Sequence, residues 1–332
     1  PYIDIDASGE DAIFISPHKF IGGPGTPGVL IVNRRLLSNS VPEAVGGGTV
    51  AYVNPQMHRY ITDAAHREEA GTPAIIESIR AGLGFAPKDA VGVDTIHELE
   101  SGFLARAMKE WGDHPAIQIL GSPTAERLSI VSFVVTSPSG RYLHHNVVVA
   151  ILNDLFGIQV RGGCSCAGPY GHRLLGIDLE RSQEFEREIA SGCEGIKPGW
   201  ARVSFNYFIS EADFRYLVDA VSLIADQGYK LVPHYRFSPD TGLWRHESGI
   251  VEPPLRLNQM RFDDGGSLTF PRRDDHAPES ALADYLAEAR ALFDSLPDPH
   301  AGGEARHVAD ERLSDDFEHL RWFDLPATSL ER

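Results

Sequence analysis

Short apolar runs alternate with turn residues in the first part of the chain, which predicts alternating strands and helices. Ala12 to Ile15 and Val29 to Val32 are apolar stretches of the length of buried strands. A helix is predicted from Pro73 to about Phe85, because proline fits the first turn of a helix. The segment 51–67 has mixed character and is predicted to be mostly loop. The alternation favours an α/β layer with a mainly parallel sheet.

The middle of the chain has clearer periodicity. An apolar stripe at helical spacing predicts a helix from Asp94 to Trp111, and a second helix is predicted from His144 to Phe156. Ser210 and Asp213 resemble a capping box at the start of a third helix. Strands are predicted at 117–120, 128–135, 158–160 and 201–205. From about residue 88 the pattern fits a smaller α+β domain.

Composition excludes several classes of function. The 332 residues suffice for about two domains, and a net charge of -17 argues against a nucleic-acid binder, which would need a basic surface. No apolar run is long enough for a membrane span, and no secretory leader pattern is visible. The three cysteines, Cys164, Cys166 and Cys193, are too few for a disulfide framework and fit a reducing cytoplasm. Cys164-Ser-Cys166 lacks a matching second pair, so no metal site is expected.

Lys19 follows a predicted buried strand and precedes a glycine-rich turn. Burial disfavours an ammonium ion, and a neutral amine can form a Schiff base with an aldehyde. Ser16, His18 and the glycine backbone could donate hydrogen bonds to a phosphate beside it. The simpler interpretation, which holds for most single lysines, is a solvated side chain at a strand end.

The string Ser16-Pro-His18-Lys19 resembles the Ser-x-His-Lys signature of the class V, fold-type I pyridoxal-phosphate (PLP) aminotransferase family, especially its cysteine desulfurase-like branch. The resemblance implies that Lys19 is the Schiff-base lysine and that Ser16 and His18 bind the cofactor phosphate. It also implies that Thr49, after three glycines, contacts the phosphate from the partner subunit of a homodimer.

The second constellation is Arg161-Gly-Gly-Cys164-Ser-Cys166. Taken alone, both thiols are better explained as inert small residues of a tight turn, although a thiol near a cation can become nucleophilic. Desulfurase-like members carry Arg-x-Gly-x-x-Cys-Ala, so the resemblance makes Cys166 the persulfide acceptor. Cys164 is then either a bystander or a resolving thiol.

Arg202 lies on a predicted strand, where its planar guanidinium could bind a carboxylate through two parallel hydrogen bonds. The commoner fate of an arginine is a surface salt bridge. The family has an arginine at the matching point that binds the substrate α-carboxylate, and the resemblance carries this role to Arg202. Arg161 then assists Arg202 or shapes the cysteine loop.

The resemblance implies a PLP-dependent enzyme acting on an amino acid, in first place a cysteine desulfurase that forms a persulfide on Cys166, releases alanine and passes sulfur to an acceptor protein. The first cysteine of Cys-Ser-Cys and the long C-terminal extension depart from that branch. They leave open a class V aminotransferase, epimerase or lyase without a catalytic cysteine. An alternative of another class is a non-catalytic binding or scaffold protein on a degenerate PLP fold.

Three regions are expected. Residues 1–87 form the C-terminal part of the PLP-binding large domain, 88–235 a small α+β domain that carries the cysteine loop, and 236–332 an extension of unknown role. The first residue is Pro1, so we expect an N-terminally truncated fragment, inactive alone. The residues that stack on the cofactor ring and pair with its pyridine nitrogen are then expected upstream.

Overall fold

The computed structural model describes residues 4–164, 168–249, 255–272, 276–300, 313–326 and 329, without the side chains of residues 5 and 6. The chain divides into two compact units, Pro1–Leu99 and Glu100–Arg332. The domain boundaries expected from the sequence lie elsewhere, at 87/88 and 235/236. Within the described ranges, no helix has both the length and the apolar character that a membrane span requires.

Unit 1 contains short helices and two strand pairs. Its elements are α1 (Ile5–Ser8), β1 (Ala12–Ile15), β2 (Val29–Val32), β3 (Val50–Asn54), β4 (Met57–Tyr60), α2 (Ala64–Glu68), α3 (Ile75–Val91) and the start of α4 (Val93–Gly112). The loop predicted over 51–67 is wrong, because β3 and β4 form a hairpin there. The side-chain oxygen of Asn54 accepts hydrogen bonds from the N–H groups of Gln56 and Met57, both at 2.9 Å. This local turn, not hydrophobic periodicity, encodes the hairpin.

The strands pair in a direction that differs from the prediction. Every pairing between named strands in the described part of the chain is antiparallel. Parallel neighbours need a crossover connection, usually a helix, whereas β1 reaches β2 through a glycine-rich turn and β3 reaches β4 through a hairpin turn. The mixed α/β class is confirmed, and the described strands do not form the mainly parallel sheet that was expected.

Unit 2 is built around a four-stranded antiparallel sheet with the strand order β5-β6-β8-β7. Besides the rest of α4, its elements are β5 (Ile117–Ile119), β6 (Ile130–Val135), α5 (His145–Phe156), β7 (Arg161–Gly163), α6 (Gly168–Leu175), α7 (Leu179–Ala190), β8 (Trp200–Ser204), α8 (Glu211–Gln227), β9 (Tyr235–Ser238), β10 (Leu243–His246), β11 (Arg261–Phe262), β12 (Leu268–Thr269), α9 (Ala281–Ser295) and α10 (Asp315–Leu320).

The long helices of unit 2 confirm the predictions. Helix α5 ends at Gly157, whose left-handed φ of 66° suits a glycine cap, and α8 begins with the capping box of Ser210 and Asp213. The strand predicted at 158–160 is wrong, since β7 begins three residues later and covers Arg161–Gly163. Residues 158–160 only bring the chain from the helix cap to the edge of β8.

The C-terminal extension is part of the core of unit 2. Several of its aromatic side chains join the same buried cluster as the side chains of α4, β6, α5, β8 and α8. Four fully buried phenylalanines come from this extension: Phe237, Phe293, Phe317 and Phe323. Truncating a buried phenylalanine to alanine costs about 3–5 kcal/mol, so unit 2 depends on the extension for its stability.

Two histidines are buried at the start of α5. Nδ1 of His144 accepts a hydrogen bond from the N–H of Asn146, and its Nε2 lies 3.1 Å from the carbonyl oxygen of Gly195. Because Nδ1 must accept, the proton resides on Nε2 and the ring is neutral. Burial, and next the neighbouring His145, hold the pKa of His144 well below its usual range. Burial lowers the pKa of His145 to about 4.

Because these imidazoles are buried in the neutral form, we expect unit 2 to lose stability in mild acid. In the unfolded chain a histidine titrates near pH 6.5, so unfolding takes up protons wherever the folded pKa is lower. Stability is therefore full above pH 7 and falls as the pH drops through 6.5 towards 4, by roughly 3 kcal/mol for His145 alone. Tryptophan fluorescence during urea unfolding measures this change, since Trp111, Trp200, Trp244 and Trp322 all belong to unit 2.

The matched control is His66→Gln, which removes an exposed histidine of unit 1 and leaves the pH dependence unchanged. His145→Phe is expected to flatten the dependence. A wild-type unfolding free energy that stays constant between pH 7 and pH 4.5 would contradict this account of the two histidines.

Candidate functional site

Lys19 lies in a short 3₁₀ turn, Pro17–Lys19, directly after β1. The N–H of Lys19 donates to the carbonyl of Ser16 at 3.0 Å, and the N–H of Phe20 donates to that of Pro17 at 2.9 Å. A Cβ at Gly23 would lie 1.9 Å from the carbonyl oxygen of Pro17. Only glycine therefore lets the chain fold back over this turn. Ser16, His18 and Lys19 therefore all belong to this turn, with Ser16 at its N-terminal cap.

The expected burial of Lys19 is wrong for this chain. Lys19 and His18 are exposed, and Ser16 is half-buried. The reason is that β1 belongs to a two-stranded sheet without a complete second layer: Phe14, in the middle of the strand, is 81% exposed. The amine of Lys19 is consequently open to a molecule approaching from solvent.

Thr49, the expected phosphate contact, is fully buried. Its hydroxyl donates to the carbonyl oxygen of Gly46 at 2.7 Å. The hydroxyl would have to leave this carbonyl to donate to a phosphate. The phosphate role of Thr49 therefore stays a prediction.

The donor set around Lys19 fits a phosphate ester joined to an aldehyde. The side chain of Ser16 makes no capping hydrogen bond to its own turn. Sequence reasoning missed Thr26, whose buried hydroxyl oxygen has no hydrogen-bond partner among the described residues. Its signal was its place in the glycine-rich turn Gly22 to Gly28. Hydroxyls, an imidazole and glycine amides suit a phosphate, and the amine of Lys19 suits a carbonyl carbon.

The sheet of unit 2 brings the two predicted arginines together. Arg161 on β7 lies directly opposite Arg202 on β8, and Ser132 on β6 lies opposite Arg202 on its other side. Arg202 is half-buried, and its guanidinium group has no hydrogen bond or ion pair with another described residue. The guanidinium group of Arg202 can therefore take an anion as its partner, with the side chain of Arg161 on the same face of the sheet.

Trp200 is a wall of this site that sequence reasoning missed. It lies two residues before Arg202, hence on the same face of β8, and is 3% exposed. A Cβ at Gly171 would lie 3.0 Å from its ring, which shows how closely α6 packs against it. The alternation along 200–204 was the available signal.

Strand β7 leads directly into the cysteine loop. Cys164 is an exposed free thiol, and Cys166, the predicted nucleophile, lies outside the described residues. Cys193 has a different character: burial raises the pKa of its thiol to about 11, and the sulfur lies 3.5 Å from the carbonyl oxygen of Pro239. A thiol protonated at neutral pH is a poor nucleophile, so Cys193 is structural.

Metal-ligating side chains do not gather in the part of the chain that the structure describes: no group of three or more His, Cys, Asp or Glu is placed there to hold a metal ion.

Curated proteins that are similar to this chain include cysteine desulfurases. A cysteine desulfurase of Cronobacter sakazakii is 32% identical over 167 residues, which are 50% of this chain and 39% of that protein. A probable cysteine desulfurase of Staphylococcus aureus is 30% identical over 172 residues, which are 51% of this chain and 40% of that protein. The matched part therefore spans well under half of these relatives.

Solved structures of the same class share the fold. The apo structure of a cysteine desulfurase from Thermococcus onnurineus aligns with a TM-score of 0.53 and 25% identity, over 67% of this chain and 48% of that one. An S-sulfonic acid form of a cysteine desulfurase from Escherichia coli aligns with a TM-score of 0.52 and 21% identity, over 69% and 48% of the two chains.

The model of the family described as aminotransferase class V matches residues 2–217, which include the turn of Lys19, the Arg161–Arg202 pair and the cysteine loop. The chain therefore belongs to the class V aminotransferase family, whose cofactor is pyridoxal phosphate.

Proposed function

We propose that the protein transfers sulfur from free cysteine to its own cysteine loop, as a PLP-dependent enzyme of the cysteine desulfurase kind. The observation that carries the proposal is the register of β7 on β8, which sets Arg161 opposite Arg202 immediately before the cysteine loop. Strand β7 thus sets Arg161 opposite Arg202 and leads directly into the thiol loop. This arrangement suits an amino acid whose side chain carries the sulfur.

Arg202 binds the α-carboxylate of the substrate through its planar guanidinium group, which matches the two carboxylate oxygens. Arg161 contributes a second positive charge from the opposite position on β7. Trp200, on the same face of β8, limits the space around the carboxylate and keeps water from one side of it.

Lys19 supplies the amine of the reaction. When PLP is bound, its ring accepts electrons from bonds at the substrate carbon. Ser16, His18 and Thr26 hold the phosphate, together with the glycine backbone that follows Lys19. Thr49 adds a phosphate contact from the second copy of a homodimer. The amine of Lys19 moves a proton at a substrate carbon as general base and acid.

Cys166 is the sulfur acceptor. Its thiolate attacks the sulfur of the substrate, the bond between Cβ and sulfur breaks, and an S–S bond forms. The leaving Cβ carries the electron pair of the broken bond and takes up a proton, which gives alanine, so no external oxidant or reductant is needed. The persulfide sulfur then passes to an acceptor protein. We place the reaction in the cytoplasm, where thiols stay reduced; Cys164 and Cys193 are both free thiols.

The assignment of Cys166 predicts a clear difference between two serine variants. In the full-length protein supplied with PLP, cysteine and a reducing thiol, Cys166→Ser is expected to lose sulfide release by about a hundredfold or more. The matched control Cys164→Ser removes the neighbouring thiol and is expected to keep most of the activity. Sulfide and alanine are measured in the same samples.

Equal sulfide release by wild type and Cys166→Ser would refute the nucleophile. Sulfide released together with pyruvate in place of alanine would instead indicate a lyase. 3-Mercaptopyruvate formed from cysteine without sulfide would indicate an aminotransferase. A protein that neither binds PLP nor consumes amino acids would be a scaffold.

If Arg202 binds the substrate carboxylate through its planar pair of donors, its positive charge alone is insufficient for binding. Arg202→Lys keeps the cation but loses the planar pair of donors, so KM for cysteine is expected to rise about tenfold or more with a smaller change in kcat. Arg290→Lys, on the exposed side of α9, is the matched control with unchanged kinetics. Steady-state kinetics with alanine as the measured product give both constants. An unaltered KM in Arg202→Lys would rule out this carboxylate site.

A further inference from the structure

The C-terminal extension contacts the end of helix α5 that faces strand β7. The indole ring of Trp322 stacks on the imidazole of His145, with ring centroids 5.7 Å apart and planes 9° from parallel. Nε1 of Trp322 donates to the carbonyl oxygen of Ile196 at 3.0 Å. The hydrogen bond to Ile196 holds the indole, and the indole contacts the His145 ring by stacking.

The segment around Trp322 is itself anchored. The N–H of Tyr142 donates to the carbonyl oxygen of Trp322, and the N–H of Asp324 donates to that of Tyr142 at 3.0 Å. The next ring, Phe323, is fully buried and meets His144 edge-on at 4.6 Å. These contacts hold residues 322–324 against the start of α5 as a short strap.

A second part of the extension reaches the same place. Asn146 donates from its side-chain amide to the carbonyl oxygen of Gly242 at 2.7 Å, in the turn between β9 and β10. The N–H of Gly195 donates to the carbonyl oxygen of Pro239 in that turn, also at 2.7 Å. His145 and Asn146, which are adjacent in sequence, are thus each held by a different segment of the extension.

His145 and Asn146 lie directly against the backbone of β7. A Cβ at Gly162 would lie 2.7 Å from the side-chain oxygen of Asn146 and 3.2 Å from the ring of His145. A Cβ at Gly199 would lie 2.8 Å both from Cα of Gly163 and from the His145 ring. Because the glycines have no side chains, nothing separates His145 and Asn146 from the backbone of the strand. A shift of either residue therefore displaces β7.

Hydrogen bonding does not fix the His145 ring. Its Nδ1 is buried and has no hydrogen-bond partner among the described residues. The orientation of the ring therefore depends on packing, and the rings of His144 and Trp322 supply the stacking surfaces. The indole is the stacking contact through which the extension acts on the imidazole that lies beneath the two glycines.

We propose that Trp322 and the turn at 238–242 are positioning elements for strand β7, which set the place of Arg161 and of the thiol of Cys164. Trp322 acts through His145, and the turn acts through Asn146. The extension would then have a role in the function of the cysteine loop in addition to its share of the core. The effect on sulfur transfer rests on the proposed function, whereas the effect on the mobility of β7 does not.

The test uses the full-length protein and two readouts that need no cofactor. Trp322→Leu is expected to speed hydrogen exchange at the amides of Gly162, Gly163 and Cys164 about tenfold, and alkylation of Cys164 by iodoacetamide by a similar factor. Mass spectrometry of peptides resolves both. Trp322→Phe keeps a stacking ring and is expected to restore near wild-type rates.

The matched control is Phe317→Leu, which truncates another core aromatic of the extension whose ring contacts are with Phe237 and Phe323. It is expected to lower the stability of unit 2 without a selective effect on β7. Asn146→Ala removes the bond to Gly242 and tests the second contact, should Trp322→Leu fail to fold.

Equal acceleration of exchange throughout unit 2 in Trp322→Leu and Phe317→Leu would overturn the proposal, as would unchanged exchange of β7 in both Trp322→Leu and Asn146→Ala. If the wild type itself released no sulfide from cysteine, the proposed function would fail, and the exchange result would still decide the positioning role.

Discussion

The pairing of β7 with β8 is the contact on which the proposed chemistry depends. It sets Arg161 directly opposite Arg202, although like charges at opposite positions weaken a sheet. The remaining pairs of this short ladder are glycines of β7 against Ala201 and Trp200, which add little side-chain packing from the β7 side. A three-residue strand with two glycines holds its place only if something behind it holds the backbone. In this chain that support comes from helix α5.

Strand β7 is supported by a series of buried contacts, in which each residue is held in place by the next. Helix α5 begins with a neutral histidine cap at His144, and the following residues, His145 and Asn146, touch the strand. Segments from the far end of the chain fix both of them. Neutral imidazoles allow this because they can be buried without a counter-ion, but the arrangement loses stability once acid charges them. Stability and site geometry therefore depend on the same few rings.

The sequence predicts elements correctly where the local pattern is sufficient. It fails where packing against a second layer of structure decides the position or burial of a residue. Helices α4, α5 and α8 follow from apolar spacing and caps that lie within each segment. Strand β7 was placed three residues too early because glycines carry no hydrophobic pattern. The role of Trp322 joins residues far apart in the chain, and no periodicity signals it. The motif around Lys19 identified the family, whereas its burial depends on elements that pack over β1, which the motif does not contain.

The proposed chemistry also requires Lys19 as the residue that carries the cofactor. The most direct measurement is to purify the full-length protein, reduce it with borohydride, digest it and locate the phosphopyridoxyl mass by peptide mass spectrometry. The account predicts this mass on the peptide that contains Lys19, in about one copy per chain. The mass on Lys88, Lys109, Lys197 or Lys230, or on no lysine although the protein retains PLP, would contradict it.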